Sequence, residues 1–252
     1  DGKTIRAKQI VSGAGIVTTY KNLLPQPVVR QHKLREQLTR VNPSACHACL
    51  YLGLKGTPEE LGLPKTNYWL YPENGDHDAC VENYLENPEE EFPVVYISFP
   101  ASKDPDFQNR YPGKSTIDII TLVPYALFER WEGSTWMNRG EEYEALKARL
   151  TERLIQGVLE HLPHVKNKIQ HKELSTPLST SFFTRYEKGE IYGVDHSPSR
   201  FRQKFLQPRT PIKNFYLTGQ DTVTAGIGGA LFSGLLTASA ITGTNFMKKI
   251  TQ

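Results

Sequence analysis

The stretch Phe215–Gly243 combines residue types and spacing in a way that points to ligand chemistry. A short apolar run, Phe215-Tyr216-Leu217, ends at Gly219, and Gln220 and the acidic Asp221 follow at once. Gly226, Ile227, Gly228 and Gly229 then open a long segment of small and apolar residues with helical character. A strand, an acidic turn and a glycine-rich helix start let backbone come very close to a ligand. The free N–H groups at such a start carry partial positive charge and suit an anionic or electron-rich ligand atom. The same glycines also suit a tightly packed buried helix, and the pattern alone leaves both readings open. A second segment, Gly189-Glu190-Ile191-Tyr192-Gly193-Val194-Asp195-His196, brackets a charged and aromatic stretch with glycines. Tyr192, Asp195 and His196 fall within five residues and suit the polar end of a pocket, with an ordinary hairpin as the alternative.

Other reaction types find little support. No Gly-x-Ser-x-Gly elbow exists for a Ser-His-Asp triad. His77 lies between Asp76 and Asp78 as in a solvated turn, and His161 and His164 flank the end of a helix, where a cation is favourable for dipole reasons alone. His171 and His196 lack metal-ligand spacing. Cys46 and Cys49 form a CxxC with no second pair and with His47 between them, which matches neither zinc spacing nor the order of a haem attachment. They read instead as small hydrophobes of a strand in a reducing compartment. No metal site is expected. Gly13-Ala14-Gly15 opens like a dinucleotide fingerprint, but the third position is Thr18, and Pro25 and Pro27 interrupt the helix that should follow. A strand and a tight turn are expected there, with Glu36 as a coincidence.

The elements that must position these segments alternate along 252 residues, enough for one large domain or two small ones. A hydrophobic share of 38% and a mean hydropathy of −0.47 fit a protein with much polar surface. The net charge of +3, from 30 basic and 27 acidic residues, argues against nucleic acid as a partner. No leader pattern precedes Lys3, and the first residue is not Met, so a processed product or a piece of a longer chain is expected. Strands are expected at 3–12, 45–54, 67–71, 94–99 and 116–125, with turn chemistry at Asn74-Gly75-Asp76. Helical segments are expected at 30–40 and 78–90, with one turn at 58–61. The clearest amphipathic helix is 141–162, where Tyr143, Leu146, Leu150, Leu154, Val158 and Leu162 recur at three- and four-residue spacing. Residues 172–212 read as loop-rich, and the last helix, about 226–247, reads as buried rather than membrane-spanning.

Several ordered pieces share one resemblance. Phe215–Asp221 with Thr224-Ala225-Gly226-Ile227-Gly228-Gly229-Ala230-Leu231 is similar to the C-terminal flavin-contacting motif of the retinol saturase and carotenoid isomerase (phytoene desaturase-like) flavoproteins. Val11–Ile16, Phe99–Pro105, Thr176-Pro177-Leu178 and Gly189–Gly193 agree in the same order, so the resemblance spans nearly the whole chain.

The resemblance implies an α+β / α/β architecture. A substrate domain of mixed β-sheet and helices (26–212) would be joined to a return strand (1–25) and a closing strand and helix (213–252) of a doubly wound FAD-binding domain. It implies FAD contacts at Gly219, Gln220, Asp221, Gly226, Ile227, Gly228 and Gly229, and a substrate edge at Tyr192 and His196, with no catalytic side chain named. The reaction implied is saturation, desaturation or isomerisation of a long apolar polyene, in a cytoplasmic protein with peripheral membrane contact. Family members are about twice this length and carry a GxGxxG element upstream. This chain therefore resembles a C-terminal half that is inactive alone, binds FAD weakly or not at all, and needs the missing N-terminal half as its partner. Two alternatives stand beside it. One is a non-enzymatic module binding apolar ligands. The other is a flavin amine oxidase-like protein holding an amine with Trp131, Trp136 and Tyr143.

Overall fold

A computed structural model describes residues 2–73 and 75–250. The predicted turn at Asn74 therefore lies partly outside the described residues. In chain order, β1 (Ile10–Ser12) leads into α1 (Ile16–Thr18), which continues as a π-helical turn (Thr19–Leu23), then α2 (Gln26–Gln31) and α3 (Leu34–Leu38). The central part holds β2 (His47–Lys55), β3 (Tyr68–Leu70), α4 (His77–Glu86), β4 (Val95–Ser98), α5 (Pro100–Lys103), α6 (Phe107–Arg110), β5 (Lys114–Leu122), α7 (Glu141–His161), β6 (Ile169–Ser175) and α8 (Pro177–Thr184). The chain then forms β7 (Phe215–Leu217), α9 (Gly226–Thr242) and α10 (Phe246–Ile250). Two compact units result, one from residues 1–45 with 184–252 and the other from 46–183. The sequence reading had set its boundaries at 25/26 and 212/213.

The central unit is an α+β body. Its five strands run in the order β3-β4-β5-β2-β6, with antiparallel neighbours throughout. Alternation on β2 and β5 sends Leu50, Leu52, Leu54, Ile117 and Ile119 to one face, where they are buried. Against this core α7 sets Tyr143, Leu150, Leu154, Ile155 and Val158, the side predicted from its periodicity. Each such fully buried aliphatic side chain contributes about 1.5–3 kcal/mol. Asp76 caps α4 by accepting from the Ala79 N–H at 3.0 Å. Two elements here escaped the sequence reading. The charged strand β6 pairs with β2 along the sheet edge, and α8 takes up Ser181-Phe182-Phe183, which had read as loop.

The other unit rests on a smaller core of Ile16, Tyr20, Leu34, Val194, Phe215 and Leu217. Its strands β1 and β7 pair in parallel, Ile10 beside Phe215 and Ser12 beside Leu217. Only Ile10–Ser12 of the expected 3–12 strand is regular. After Gly15 the structure departs from the expected tight turn, because a helical segment does follow. Pro25 and Pro27 do not prevent it, since they lie beyond its end at Leu23.

The last helix is also a correction. Its buried residues are Gly229, Ser233 and Thr237, spaced by four, while Ile227 is 90% and Leu231 76% exposed. The small, hydroxyl-bearing stripe faces inward because it bonds the strand. Ser233 Oγ accepts from the Gly219 N–H at 2.9 Å, and Thr237 Oγ1 donates to the Leu217 carbonyl at 2.9 Å. Among the described residues, no helix is long and apolar enough to cross a membrane.

Candidate functional site

Asp221 is the hub of the terminal unit. It sits in a short 3-10 turn after β7, 4% exposed, where its carboxylate joins two distant segments. Oδ2 accepts the Ile16 N–H at 2.7 Å, and Oδ1 accepts the Val194 N–H at 3.0 Å. A charged acceptor shared by two buried N–H groups makes strong hydrogen bonds. Ile16 is the first residue of α1, so Asp221 occupies the anion-favouring end of that helix, where a dinucleotide fold would offer N–H groups to phosphate. Two glycines make the approach possible. Gly193, at φ 67°, lies so close that a Cβ would collide with Asp221 Oδ1. At Gly15, φ 80°, a Cβ would sit 2.8 Å from the Tyr186 ring.

The start of α9 is assembled around the same turn. Gly226 adopts φ 82°, and its N–H donates to Gln220 Oε1 at 3.4 Å, while Gln220 Nε2 reaches the Tyr186 hydroxyl at 3.3 Å. The Ala225 N–H donates to His196 Nε2 at 2.7 Å. His196 is therefore neutral there, with its proton on Nδ1, and desolvation and the nearby Arg200 charge hold its pKa below the ordinary imidazole value. Gly229 packs on the Thr224 carbonyl so closely that a Cβ would overlap it. Gly228 faces open space and Ile227 is exposed. Among the described residues, no loop or side-chain acceptor takes the N–H groups of Ile227 and Gly228. The first turn of this 17-residue helix thus presents free donors and the positive end of its dipole.

The residues expected to contact a ligand therefore divide. Gly219, Gln220 and Asp221 are engaged with the protein itself, as is the Nε2 of His196. Gly226, Ile227 and Gly228 form an open helix start. The backbone N–H of Tyr192 donates to Ser44 Oγ at 2.9 Å, and its ring is partly exposed.

Two buried charges were not among the residues expected to contact a ligand. Arg200, 2% exposed, donates from one terminal nitrogen to the Gln220 carbonyl at 2.7 Å, and its other terminal nitrogen has no partner. Glu190 is buried, and that burial pushes its carboxyl above the usual value while it accepts the Lys188 N–H at 2.8 Å. Both lie in polar, loop-like sequence, where nothing separates a buried charge from a surface one.

In the central unit, Trp131 meets Tyr143 edge-on with ring centroids 5.3 Å apart, and the Tyr143 hydroxyl bonds Thr176 Oγ1 at 2.7 Å. Trp136 instead stacks on Phe182 at 5.0 Å, so these three rings do not form one cage. Cys46, Cys49 and Cys80 are buried thiols, and no group of metal-ligating side chains occurs among the described residues.

Over 248 residues, 96% of its length, the chain is 36% identical to the all-trans-retinol 13,14-reductase of Danio rerio. It is related to the all-trans-retinol 13,14-reductases. The Homo sapiens protein of that name is 36% identical over 239 residues, 92% of the chain. A second Danio rerio protein, named inactive all-trans-retinol 13,14-reductase, is 34% identical over 247 residues, 94% of the chain. The chain spans only 41%, 39% and 40% of these three reductase relatives and corresponds to their C-terminal part. The retinol saturase resemblance drawn from the motifs agrees with this finding. No protein-family model matches the chain.

Proposed function

We propose that this chain is the C-terminal part of an FAD-dependent oxidoreductase that reduces a carbon–carbon double bond of a retinoid-like polyene. The open first turn of α9, set on the Gly219–Asp221 turn, is the observation that carries the reading. A bound flavin supplies hydride or electron transfer. The part of the protein is to present the N–H groups of Ile227 and Gly228 to an electron-rich ring edge, where a positive helix end favours the reduced, more negative form. Gly228, with nothing near its Cβ position, gives the room for such an approach. Asp221 and Arg200 act as positioning residues that hold this start in place. Reduction rather than desaturation or isomerisation is the direction favoured by the names of the relatives.

The same reading includes a further length of polypeptide. A parallel pair of strands is rarely stable alone, and parallel sheets are normally covered on both faces. Here Ile10 and Val11 on β1, and Ile227 and Leu231 on α9, are exposed apolar residues, which supports completion of the unit by more chain. Asp221 fills the helix end that would otherwise receive a phosphate, so these 252 residues by themselves hold FAD weakly or not at all. Titrating FAD into the isolated chain and into a full-length relative, with visible absorbance as readout, tests this. Tight stoichiometric binding by the chain alone overturns the fragment reading, and no flavin bound by the longer protein overturns the function.

One observation favours a second reading, a polyene-binding protein without redox activity. The relative named inactive is almost as similar as those named reductases. A full-length protein that binds flavin and retinoid, yet leaves the retinoid spectrum unchanged under reducing conditions, would decide for it.

A further inference from the structure

A groove of about 610 Å³ lies on the central unit between the edge strand β3, the segment 91–95 and the last turns of α7. Its floor is apolar, formed by Leu70, Phe92, Val95 and Leu154. Its rim carries the exposed rings of Trp69 and Tyr71, Trp69 being 58% exposed on a strand of only three residues. Three carboxylates surround it, Glu73, Glu91 and Glu160, and none joins an ion pair among the described residues. The one guanidinium in the wall is held by neutral groups and keeps its charge. Arg153 lies over the Phe92 ring at 4.4 Å and donates to the Pro88 carbonyl at 2.7 Å.

We propose that this groove docks an extended basic peptide segment, in which lysine or arginine alternates with apolar residues. Two features of the fold converge on that chemistry. The strand β3 ends the sheet and pairs only with β4, so its outer edge offers backbone donors and acceptors to an incoming strand. A strand added there sends alternate side chains to opposite faces. Side chains on the α7 side enter the groove, where lysine stems lie along the apolar floor and their cations meet Glu73, Glu91 and Glu160, while apolar side chains on the opposite face pack on the Trp69 and Tyr96 rings. Three carboxylates against the single guanidinium of Arg153 leave the groove with an excess of negative charge, which an acidic segment would increase and a basic one offsets.

The probe is the fluorophore-labelled peptide acetyl-Val-Lys-Val-Lys-Val-amide, measured by anisotropy against this chain at low ionic strength. Three comparisons accompany it: the peptide with Glu for Lys, the peptide with Pro at the central position, and the double variant Glu91→Lys/Glu160→Lys, checked for folding by circular dichroism. The lysine peptide is expected to bind at least tenfold more tightly than the other two peptides and to lose at least tenfold in affinity on the variant. Added salt should weaken it further. Equal binding of the Glu peptide, or affinity unchanged by the double reversal, overturns the proposal. So does a Pro peptide that binds as well as its parent while spermine displaces both, since the groove would then be a polyamine site without strand addition. A complete lack of binding by the lysine peptide overturns it as well.

Discussion

Replacing Asp221 should loosen the terminal unit while leaving the central one intact. Asp221→Ala removes the acceptor of two buried N–H groups, those of Ile16 and Val194, and leaves both unsatisfied. A hydrogen bond to a charged group contributes about 1.5–3 kcal/mol, so the pair amounts to about 3–6 kcal/mol. That is a large fraction of the ~5–15 kcal/mol that holds an ordinary domain together. Asp221→Asn keeps one carbonyl oxygen but turns an amide NH2 toward the other N–H, so about half of that loss is expected. Amide hydrogen exchange read by mass spectrometry is the direct assay. A change of ~1.4 kcal/mol in opening free energy is tenfold in exchange rate, so segments 10–24 and 190–200 should exchange at least ~100-fold faster in Asp221→Ala and about tenfold faster in Asp221→Asn. The three tryptophans, Trp69, Trp131 and Trp136, all belong to the unit of residues 46–183. Their fluorescence should therefore report little change at low denaturant. Protection of Ile16 and Val194 that survives in Asp221→Ala would refute the hub role.

Gly193→Ala should destabilise the same unit by several kcal/mol, because the new Cβ meets Asp221 Oδ1 and the backbone is held at φ 67°; a thermal midpoint equal to that of the parent would contradict this. The start of α9 should depend on pH through His196. The folded pKa of this base is depressed, so its contribution is complete above the unfolded value near 6.5 and declines as pH falls through that value toward the lower folded one. Exchange at residues 224–228, corrected for the intrinsic rate, should thus rise more steeply between pH 7 and 5 in the parent than in His196→Asn, and parallel curves would sink the assignment. Native protein at pH 8 should resist iodoacetamide, since all three cysteines are buried and burial pushes the Cys49 thiol up to about 11 from 9.0; rapid labelling before unfolding would show that one of them is accessible.

Periodicity determined what it controls directly. The spacing of Tyr143, Leu150, Leu154 and Val158 specified α7 and its buried side, and the strands expected at 45–54 and 116–125 are the two central ones, which run His47–Lys55 and Lys114–Leu122. The sequence also marked Gly219–Gly229 as a place of close backbone approach, since glycine is the residue that tolerates both a positive φ and a missing Cβ. Which group makes that approach was a tertiary matter. Asp221 and Ile16 are 205 residues apart, and no local pattern says that one accepts from the other. The inward face of α9 was hidden for a related reason. Its small residues looked like a buried helix, yet burial follows the hydroxyls of Ser233 and Thr237, which find backbone partners at Gly219 and on β7, and not the larger apolar side chains. Arg200 is similar in this respect, because its buried charge is held by the Gln220 carbonyl, twenty residues away in sequence. Residue types and spacing thus defined the elements and the chemical character of the site. The burial, pairing and protonation of its charged groups were decided only when residues 1–45 and 184–252 came together.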